Sequence, residues 1–233
     1  MPVRTLVVGP LMANCHLLIE GDGIAVIDPG GNPEQIVAAI EEIGLPAKVI
    51  IDTHGHADHI AANDVLRDRF EAPVLIHEAD ARMLIDPAAN FSAMFGIALR
   101  LRAADRLLGD GDVIDVGARD GVYVRKGAHP GTGAEEGGAN SVPTIGLLRV
   151  IHTPGHSPGG ICLLCSEGLF TGDTLFAGSV GRTDFPGGDW EVLQRSIKER
   201  LLPLGDRTII YPGHGPASTL GRERGQNHFL QGL

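Results

Sequence analysis

The sequence predicts a single α/β domain that spans residues 1–233 and is rich in tight turns. Its length fits one domain, and runs of strand-forming residues alternate with segments whose apolar side chains recur at helical spacing. Glycine and proline contribute 33 and 15 residues, which predicts many short turns between these segments. These three observations favour an alternation of strands and helices.

The first half is expected to begin with a meander of strands. Its third strand-type run ends at the turn Asp28-Pro29-Gly30-Gly31, and a helix-start signal follows it. Gly44 ends the helical spacing that comes next. The expected elements are strands at 5–8, 16–19, 25–27, 48–52 and 74–76, helices at 33–43 and 57–69, and helical pieces through Leu108.

The second half has a similar plan of strands followed by helices. Residues 118–146 are rich in glycine and poor in large apolar side chains, which predicts a surface insertion between two strands. The expected elements are strands at 113–116, 147–152, 160–164, 168–171 and 207–211, and helices at 189–201 and 218–230.

Charge and cysteine content disfavour several classes of function. The net charge of −10 argues against nucleic acid and anionic membrane surfaces as partners. The three cysteines suit a reducing cytoplasm and predict no disulfide. Gly9 and Pro10 interrupt the N-terminal apolar run, so we expect no leader peptide, and no stretch is apolar enough to predict a spanning helix. We expect a cytoplasmic protein that acts on a small molecule.

A dense histidine motif follows the strand predicted at 48–52. It reads His54-x-His56-x-Asp58-His59, and a strand-to-helix turn directs such side chains out of the edge of a sheet. Three further candidates lie in glycine-rich turns after later strands: His156, Asp173 and His214. This many imidazoles and carboxylates can hold more than one metal ion. A chance cluster of hydrogen-bonded turn histidines is a poor explanation for seven such residues.

A pair of metal ions would give hydrolytic chemistry without a nucleophilic side chain. Two cations about 3.5–4 Å apart share a hydroxide, lower its pKa towards neutrality and polarise a substrate carbonyl. No serine or cysteine nucleophile is then required. Zinc is the favoured ion, with iron and manganese as alternatives, because sites made of imidazoles and carboxylates accept all three.

The segments THGHADH, HTPGHSPGG, TGDT and YPGHG, in this order and spacing, resemble the metallo-β-lactamase superfamily over essentially the whole chain. The resemblance implies a four-layer αβ/βα sandwich, with a metal site at one end of two packed sheets. The implied ligands are His54, His56 and His156 for one metal, Asp58, His59 and His214 for the other, and Asp173 as the bridge. Asp58 and Asp173 would then orient the hydroxide. The best-known β-lactamases of the family have a cysteine in place of that bridge, so β-lactam cleavage is not expected.

Shorter segments resemble the glyoxalase II branch of the superfamily in its short, single-domain form. They read NCHLL, DPGG, NFSAMFG and GRTDFPGGD. This branch hydrolyses S-(2-hydroxyacyl)glutathione thioesters such as S-lactoylglutathione. The chain has Arg182 and Asp184 where the long-form enzymes have a lysine and a tyrosine, which keeps one positive charge. The resemblance therefore makes Arg182 the candidate contact for the substrate.

Several polar residues have structural explanations. His16, His77 and His152 lie in strands or at strand ends, where hydrogen-bonded histidines are common. Cys162 and Cys165 are three positions apart on a strand, which places them on opposite faces and disfavours metal or redox use. We expect all five to be structural.

The residues near the expected mouth of the site allow two interpretations each. Arg182 can bind a carboxylate of the substrate or form a structural ion pair with Asp184. Phe91, Met94 and Phe95 have helical spacing that suits either plain packing or a wall over the metals.

Three other functions are alternatives to thioester hydrolysis. Persulfide dioxygenases share the fold and a GRTDF segment, and they use one iron held by two histidines and one carboxylate, here His54, His156 and Asp173. A lactonase on the same fold is the second alternative. A binding module without catalysis is the third, and the complete ligand set argues against it. Oxygen consumption separates the dioxygenase from the hydrolase.

Overall fold

The computed structural model describes residues 2–117, 121–127 and 146–232, and it contains two large β-sheets that pack face to face. Within these residues the first sheet has six strands in chain order: β1 (Val3–Val8), β2 (Ala13–Glu20), β3 (Gly23–Ile27), β4 (Ala47–Asp52), β5 (Val74–His77) and β6 (Arg106–Leu108). The pairs from β1 to β3 are antiparallel, and those from β3 to β6 are parallel. The sheet is therefore mixed.

The second sheet is also mixed. Its strands in the described part of the chain are β7 (Val113–Asp115), β8 (Tyr123–Arg125), β9 (Leu147–His152), β10 (Ile161–Cys165), β11 (Gly168–Gly172), β14 (Ile209–Pro212) and β15 (Ser218–Thr219), and a separate small pair is β12 (Leu175–Phe176) and β13 (Ser179–Val180). The order across the sheet is β15-β14-β11-β10-β9-β7-β8. Only β11 and β14 pair in parallel among these described neighbours.

The described residues also form six short α-helices. They are α1 (Pro33–Ile43), α2 (Ala57–Ile60), α3 (Asn63–Phe70), α4 (Ala81–Ile85), α5 (Trp190–Ser196) and α6 (Leu220–Gln226). A π-helical turn, Ile197–Leu201, continues α5. Helix α1 begins with Pro33, whose fixed φ suits a first turn, and ends at Gly44, whose φ of 76° lies in the left-handed region. No helix among the described residues has the length and apolar character needed to cross a membrane.

Alternation along the strands produces three apolar layers. In β3, Ile24 and Val26 pack towards the helices, whereas Ala25 and Ile27 pack against the second sheet. Cys162 and Cys165 of β10 likewise belong to different layers. Successive side chains of a strand point to opposite faces, so each sheet buries both of its surfaces. The predicted four-layer αβ/βα sandwich is confirmed.

The single helix predicted at 57–69 is wrong, because the structure divides it into α2 and α3. The backbone N–H of Ala62 donates to the carbonyl of Pro29 at 2.9 Å. This tertiary hydrogen bond ends α2, and a new helix begins at Asn63. Helical spacing in the sequence carries no information about such a contact.

Part of the predicted surface insertion at 118–146 needs correction. Residues 123–125 form strand β8, which pairs with β7, and Val122 is buried among the residues between the sheets. An edge strand needs few inward apolar side chains, so a count of large apolar residues missed it. Residues 118–120 and 128–145 of the predicted insertion lie outside the described residues.

The two sheets meet at the end where four strands terminate. The carboxyl ends of β4, β9, β11 and β14 all lie there. The N–H of Ile161 donates to the carbonyl of Thr53 at 2.8 Å, and the N–H of Asn14 donates to the carbonyl of Gly213 at 2.7 Å. These bonds join loops of one sheet to strands of the other and hold the strand ends together.

Candidate metal centre

The seven candidate ligands predicted from the sequence all lie at this end of the sandwich. Four of them follow β4, either in the turn after it or on α2, and the other three follow β9, β11 and β14. We call two groups of them the first set, His54, His56 and His156, and the second set, Asp58, His59 and His214. Within each set the potential ligand atoms lie within 4.8 Å of one another.

The first set is buried. The relative exposures of His54, His56 and His156 are 1%, 6% and 5%. The Nδ1 atom of His56 lies 2.9 Å from the Nε2 atom of His156, although the two residues are 100 positions apart. Nitrogen atoms so close together point their lone pairs or protons at one small volume, which is the arrangement of a metal site.

The second set lies nearer to solvent. The Nε2 atom of His214 is 3.3 Å from the Nε2 atom of His59 and 3.3 Å from Oδ2 of Asp58. The side chain of His59 is fully buried, whereas those of Asp58 and His214 are 19% and 29% exposed. A small molecule can therefore approach the cluster from the side of Asp58 and His214.

Asp173 lies between the two sets. Its Oδ1 atom is 3.4 Å from Nε2 of His59, and its Oδ2 atom is 3.6 Å from Nε2 of His156. Glycine makes room for this carboxylate, since a Cβ atom at Gly213 would lie 2.3 Å from Oδ1 of Asp173. One carboxylate thus contacts a histidine of each set.

The donor atoms fit bound cations. Nε2 of His54 and Oδ1 of Asp173 are buried and have no hydrogen-bond partner among the described residues. A buried polar atom without a partner costs about 1–3 kcal/mol. Both atoms face the cluster, where metal coordination would satisfy them. The His and Asp groups can therefore hold a centre of two metal ions.

The electrostatics of the cluster suit this chemistry. Burial, followed by the neighbouring imidazole of His59, holds the pKa of His54 well below its usual value. Burial also lowers the pKa of His59, but the carboxylates of Asp173 and Asp58 outweigh it and raise that pKa to about 10. Proximity to His59 outweighs burial at Asp58 and lowers the pKa of its carboxyl. Neutral imidazoles and ionised carboxylates are the forms that bind metal, so a metal ion at the second set would displace a proton from His59.

Arg182 and two phenylalanines lie beside the first set. Nε and Nη2 of Arg182 each donate to a carboxylate oxygen of Asp184 at 2.7 Å, and its guanidinium carbon lies 3.7 Å from the centre of the Phe185 ring. The buried ring of Phe91 lies 4.9 Å from that of His56 and 4.7 Å from that of Phe185. Phe91 therefore forms part of the wall around the candidate ligands.

Comparison with known proteins identifies the family. The family model described as the metallo-beta-lactamase superfamily matches residues 8–214. The chain belongs to the metallo-β-lactamase superfamily. Probable metallo-hydrolase YqgX of Bacillus subtilis is 36% identical over 100% of this chain and 99% of its own length. Hydroxyacylglutathione hydrolase GloC of Haemophilus influenzae is 35% identical over 99% of this chain and 98% of its own length.

Solved structures support the same family assignment. The crystal structure of BLEG-1 B3 metallo-beta-lactamase has a TM-score of 0.83 at 34% identity and covers 99% of this chain and 100% of that one. The structure of TTHA1623 in a di-iron-bound form has a TM-score of 0.78 at 33% identity, with coverages of 97% and 100%. The predicted resemblance to the superfamily and to glyoxalase II-like proteins is confirmed.

Asp28 lies beside the candidate site, and the ligand motifs did not reveal it. It is 1% exposed, and its carboxylate accepts hydrogen bonds from the N–H and hydroxyl of Thr53, both at 2.7 Å. It also lies 3.1 Å from Nδ1 of His59. With Nδ1–H donating to Asp28, the Nε2 atom of His59 is directed at the cluster, where a metal ion would take the place of its proton. The available signal was the Asp-Pro-Gly-Gly turn at a strand end.

The histidines expected to be structural have ordinary partners. His16 interacts with Thr5 at 2.9 Å and with the carbonyl of Pro212 at 3.1 Å. His77 and His152 stack on each other with ring centres 4.1 Å apart. None of these rings belongs to either ligand set.

The remaining expectations concern cysteines and apolar side chains. Cys162 and Cys165 are buried, and burial raises the pKa of each thiol to about 11, so neither is a thiolate at neutral pH. Met94 and Phe95 are 67% and 62% exposed, so they do not pack in the core as Phe91 does.

Proposed function

We propose that this chain is a metal-dependent hydrolase of thioesters, and that its substrates are S-(2-hydroxyacyl)glutathione thioesters such as S-lactoylglutathione. Membership of a metallo-hydrolase family supports the hydrolase part. The Haemophilus influenzae relative, whose name states hydroxyacylglutathione hydrolysis, supports the substrate class. We further propose that the protein is cytoplasmic and that its two ions are zinc, with iron or manganese as alternatives.

The position of Asp173 is the observation that carries the proposal. Its carboxylate contacts His59 of the second set and His156 of the first. Two divalent ions held by these residues would supply a hydroxide at neutral pH and polarise the thioester carbonyl. These contacts support Asp173 as the residue that would reach both metal positions. Asp58 completes the second set on the side open to solvent.

Other residues of the protein would then hold the histidine ligands in their orientation. Asp28 fixes the ring of His59 through Nδ1, and the carbonyl of Arg182 fixes the ring of His156 through its Nδ1 atom at 2.7 Å. Neither ring can turn without losing a hydrogen bond, so the ligand atoms stay directed at the cluster. Hydrolysis by this site requires no nucleophilic serine or cysteine.

We propose Arg182 as the contact for an anionic substrate. Its side chain is 54% exposed and lies in the loop that also contacts His156. Asp184 takes the edge formed by Nε and Nη2, which leaves the Nη1 edge of the guanidinium for a second carboxylate. A net charge of −10 makes such a local cation important for binding an anion.

The test combines metal analysis with two activity assays. The purified protein is stripped with a chelator, reloaded separately with zinc, iron or manganese, and assayed for hydrolysis of S-D-lactoylglutathione. We expect two ions per chain and thioester cleavage that returns on reloading. Oxygen uptake with glutathione persulfide, together with one iron per chain and no thioester cleavage, would instead identify a dioxygenase. Cleavage of lactones alone would favour the lactonase alternative.

A further inference from the structure

A buried carboxylate outside both ligand sets links the two loops that carry the first set. Asp80 follows β5 in a 3-10 turn and has no solvent exposure. Its Oδ2 atom accepts from the N–H of Gly55 at 3.1 Å and from the hydroxyl of Ser157 at 2.7 Å. Its Oδ1 atom accepts from the N–H of Gly159 at 2.6 Å. One side chain therefore holds both loops.

The bonded groups stand directly beside the candidate ligands. Gly55 lies between His54 and His56, and Ser157 follows His156. The two loops approach each other through the 2.9 Å contact between His56 and His156. A shift of either loop away from Asp80 would separate the three imidazoles of the first set.

The interaction requires a carboxylate and leaves little room for another group. The two backbone partners are N–H donors, and an ionised carboxylate is the side chain that only accepts. An asparagine would place an NH₂ group against one of these donors. Close packing adds a second restriction, because a Cβ atom at Gly159 would lie 2.7 Å from Cγ of Asp80.

We infer that Asp80 is a positioning residue that preorganises the first set for its metal ion. The inference rests on the metal centre proposed above. The described hydrogen bonds of Asp80 reach the loops of the first set and do not include any residue of the second set. Loss of Asp80 therefore weakens one metal position selectively. Partners that orient metal ligands typically contribute about 10–100-fold to metal affinity.

The test measures the two metal affinities separately. Wild-type protein, Asp80→Ala and Asp80→Asn are loaded with two equivalents of Co(II) and titrated with a chelator while the visible spectrum is recorded. His156→Ala and His214→Ala supply the reference spectra for loss of the first and second positions. We expect Asp80→Ala to lose the first ion about 10–100-fold more easily, with a spectrum like that of His156→Ala, and to keep the second ion. Asp80→Asn should show a smaller loss.

A second buried carboxylate provides a matched control. Glu223 on α6 is 1% exposed and accepts from the hydroxyl of Ser218, the N–H of Gly178 and the side-chain amide of Asn227. Glu223→Gln should lower the thermal midpoint and retain the first ion. If Asp80→Ala does not fold, the test uses Asp80→Asn and Ser157→Ala. Each of these variants disturbs the hydrogen bonds of Asp80 less than Asp80→Ala does.

Failure of this inference and failure of the proposed function would give different results. Two ions held with wild-type affinities in all Asp80 and Ser157 variants would overturn this inference and leave the proposed function standing. Equal loss of the first ion in Glu223→Gln would also overturn it, because the effect would then be general destabilisation. Wild-type protein that binds no ion would contradict the proposed function itself, and this inference with it.

Discussion

The Nδ1 atom of His156 lies 2.7 Å from the carbonyl oxygen of Arg182, whose side chain is paired with Asp184 instead. The main chain and the side chain of Arg182 thus have separate partners. Removing the side chain leaves the carbonyl that contacts His156 in place. The role proposed for the guanidinium in binding substrate can therefore be tested without removing a contact to a candidate ligand.

Arg182→Ala should mainly raise the KM for an anionic thioester. A hydrogen bond to a charged group contributes about 1.5–3 kcal/mol, so we expect KM to rise roughly tenfold or more. Metal content should not change, and a neutral short thioester should be hydrolysed as before. Steady-state kinetics on the two substrates, with elemental analysis of the same preparations, check this.

Asp184→Ala is the matched control for Arg182→Ala. If the ion pair only shapes the loop, both variants will lose activity equally on the charged and neutral substrates and will melt at lower temperature. If Arg182 binds substrate, Asp184→Ala frees the guanidinium and keeps or lowers the KM. An equal loss of activity on both substrates in Arg182→Ala would overturn the proposal that Arg182 binds the substrate.

Asp173→Ala should weaken metal binding and lower activity. The variant leaves two cations facing each other without the carboxylate between them, so at least one ion should be bound more weakly. We expect hydrolysis to fall at least about a hundredfold, a loss typical of metal-site elements. Metal content after gel filtration and the rate on S-D-lactoylglutathione are the measurements.

Asp173→Asn separates charge from shape in the same position. The amide keeps the size of the side chain but loses the negative charge, so the metal deficit should persist. A near-normal rate and two ions per chain in Asp173→Ala would show that Asp173 does not bridge the metals.

The candidate ligands could be predicted from the sequence because their pattern is local. His54 to His59 lie within six positions, and the later candidates each stand in a glycine-rich turn after a strand. The turns marked each candidate, and the resemblance to the superfamily grouped the candidates into two sets and a bridge.

The residues that support the ligands have no such local signature. Asp80 bonds Ser157 across 77 positions and Gly159 across 79, and no periodicity connects them. The same limit applies to the break after α2, which depends on the carbonyl of Pro29. Strand β8 was missed for another reason, since its apolar content is low for a segment that joins a sheet.

Residues 128–145 should be replaceable by a short linker without loss of the fold. The linker must join Gly127, which lies beside Gly111, to Gly146, which lies beside Gly117, so its two ends stand on opposite sides of β7 and about six residues apart along it. That span is roughly 20 Å, which about ten Gly and Ser residues cover. A shorter connection also reduces the entropy lost on folding, by about 0.5 kcal/mol.

Urea unfolding of the linker variant and of wild type checks this prediction. The free energy of unfolding should be equal or slightly higher in the variant. Deleting residues 121–145 instead removes Val122 from the core between the sheets and should lower that free energy. A linker variant as unstable as the larger deletion would mean that residues 128–145 pack against the domain.

His16 should make the metal-free protein less stable in mild acid. Burial lowers its pKa to about 4, although the bond to the carbonyl of Pro212 acts in the opposite direction. The usual pKa of histidine is about 6.5, so between pH 6.5 and 4 the unfolded chain binds a proton that the folded chain does not. The free energy of unfolding therefore falls as the pH drops through this window, by at most about 1.4 kcal/mol per pH unit from this residue. Above pH 6.5 His16 contributes no pH dependence.

His16→Gln isolates this contribution. Glutamine does not titrate, so the variant should lose less stability than wild type between pH 6.5 and 4, even if it is less stable at pH 7 because the ring no longer packs against Phe170. Urea unfolding of chelator-treated protein at several pH values excludes the separate effect of metal release. The free energy of unfolding is plotted against pH for each protein, and the difference between the two slopes is the quantity that decides. Parallel slopes for His16→Gln and wild type would show that His16 has the same pKa in the folded and the unfolded chain, which contradicts this prediction.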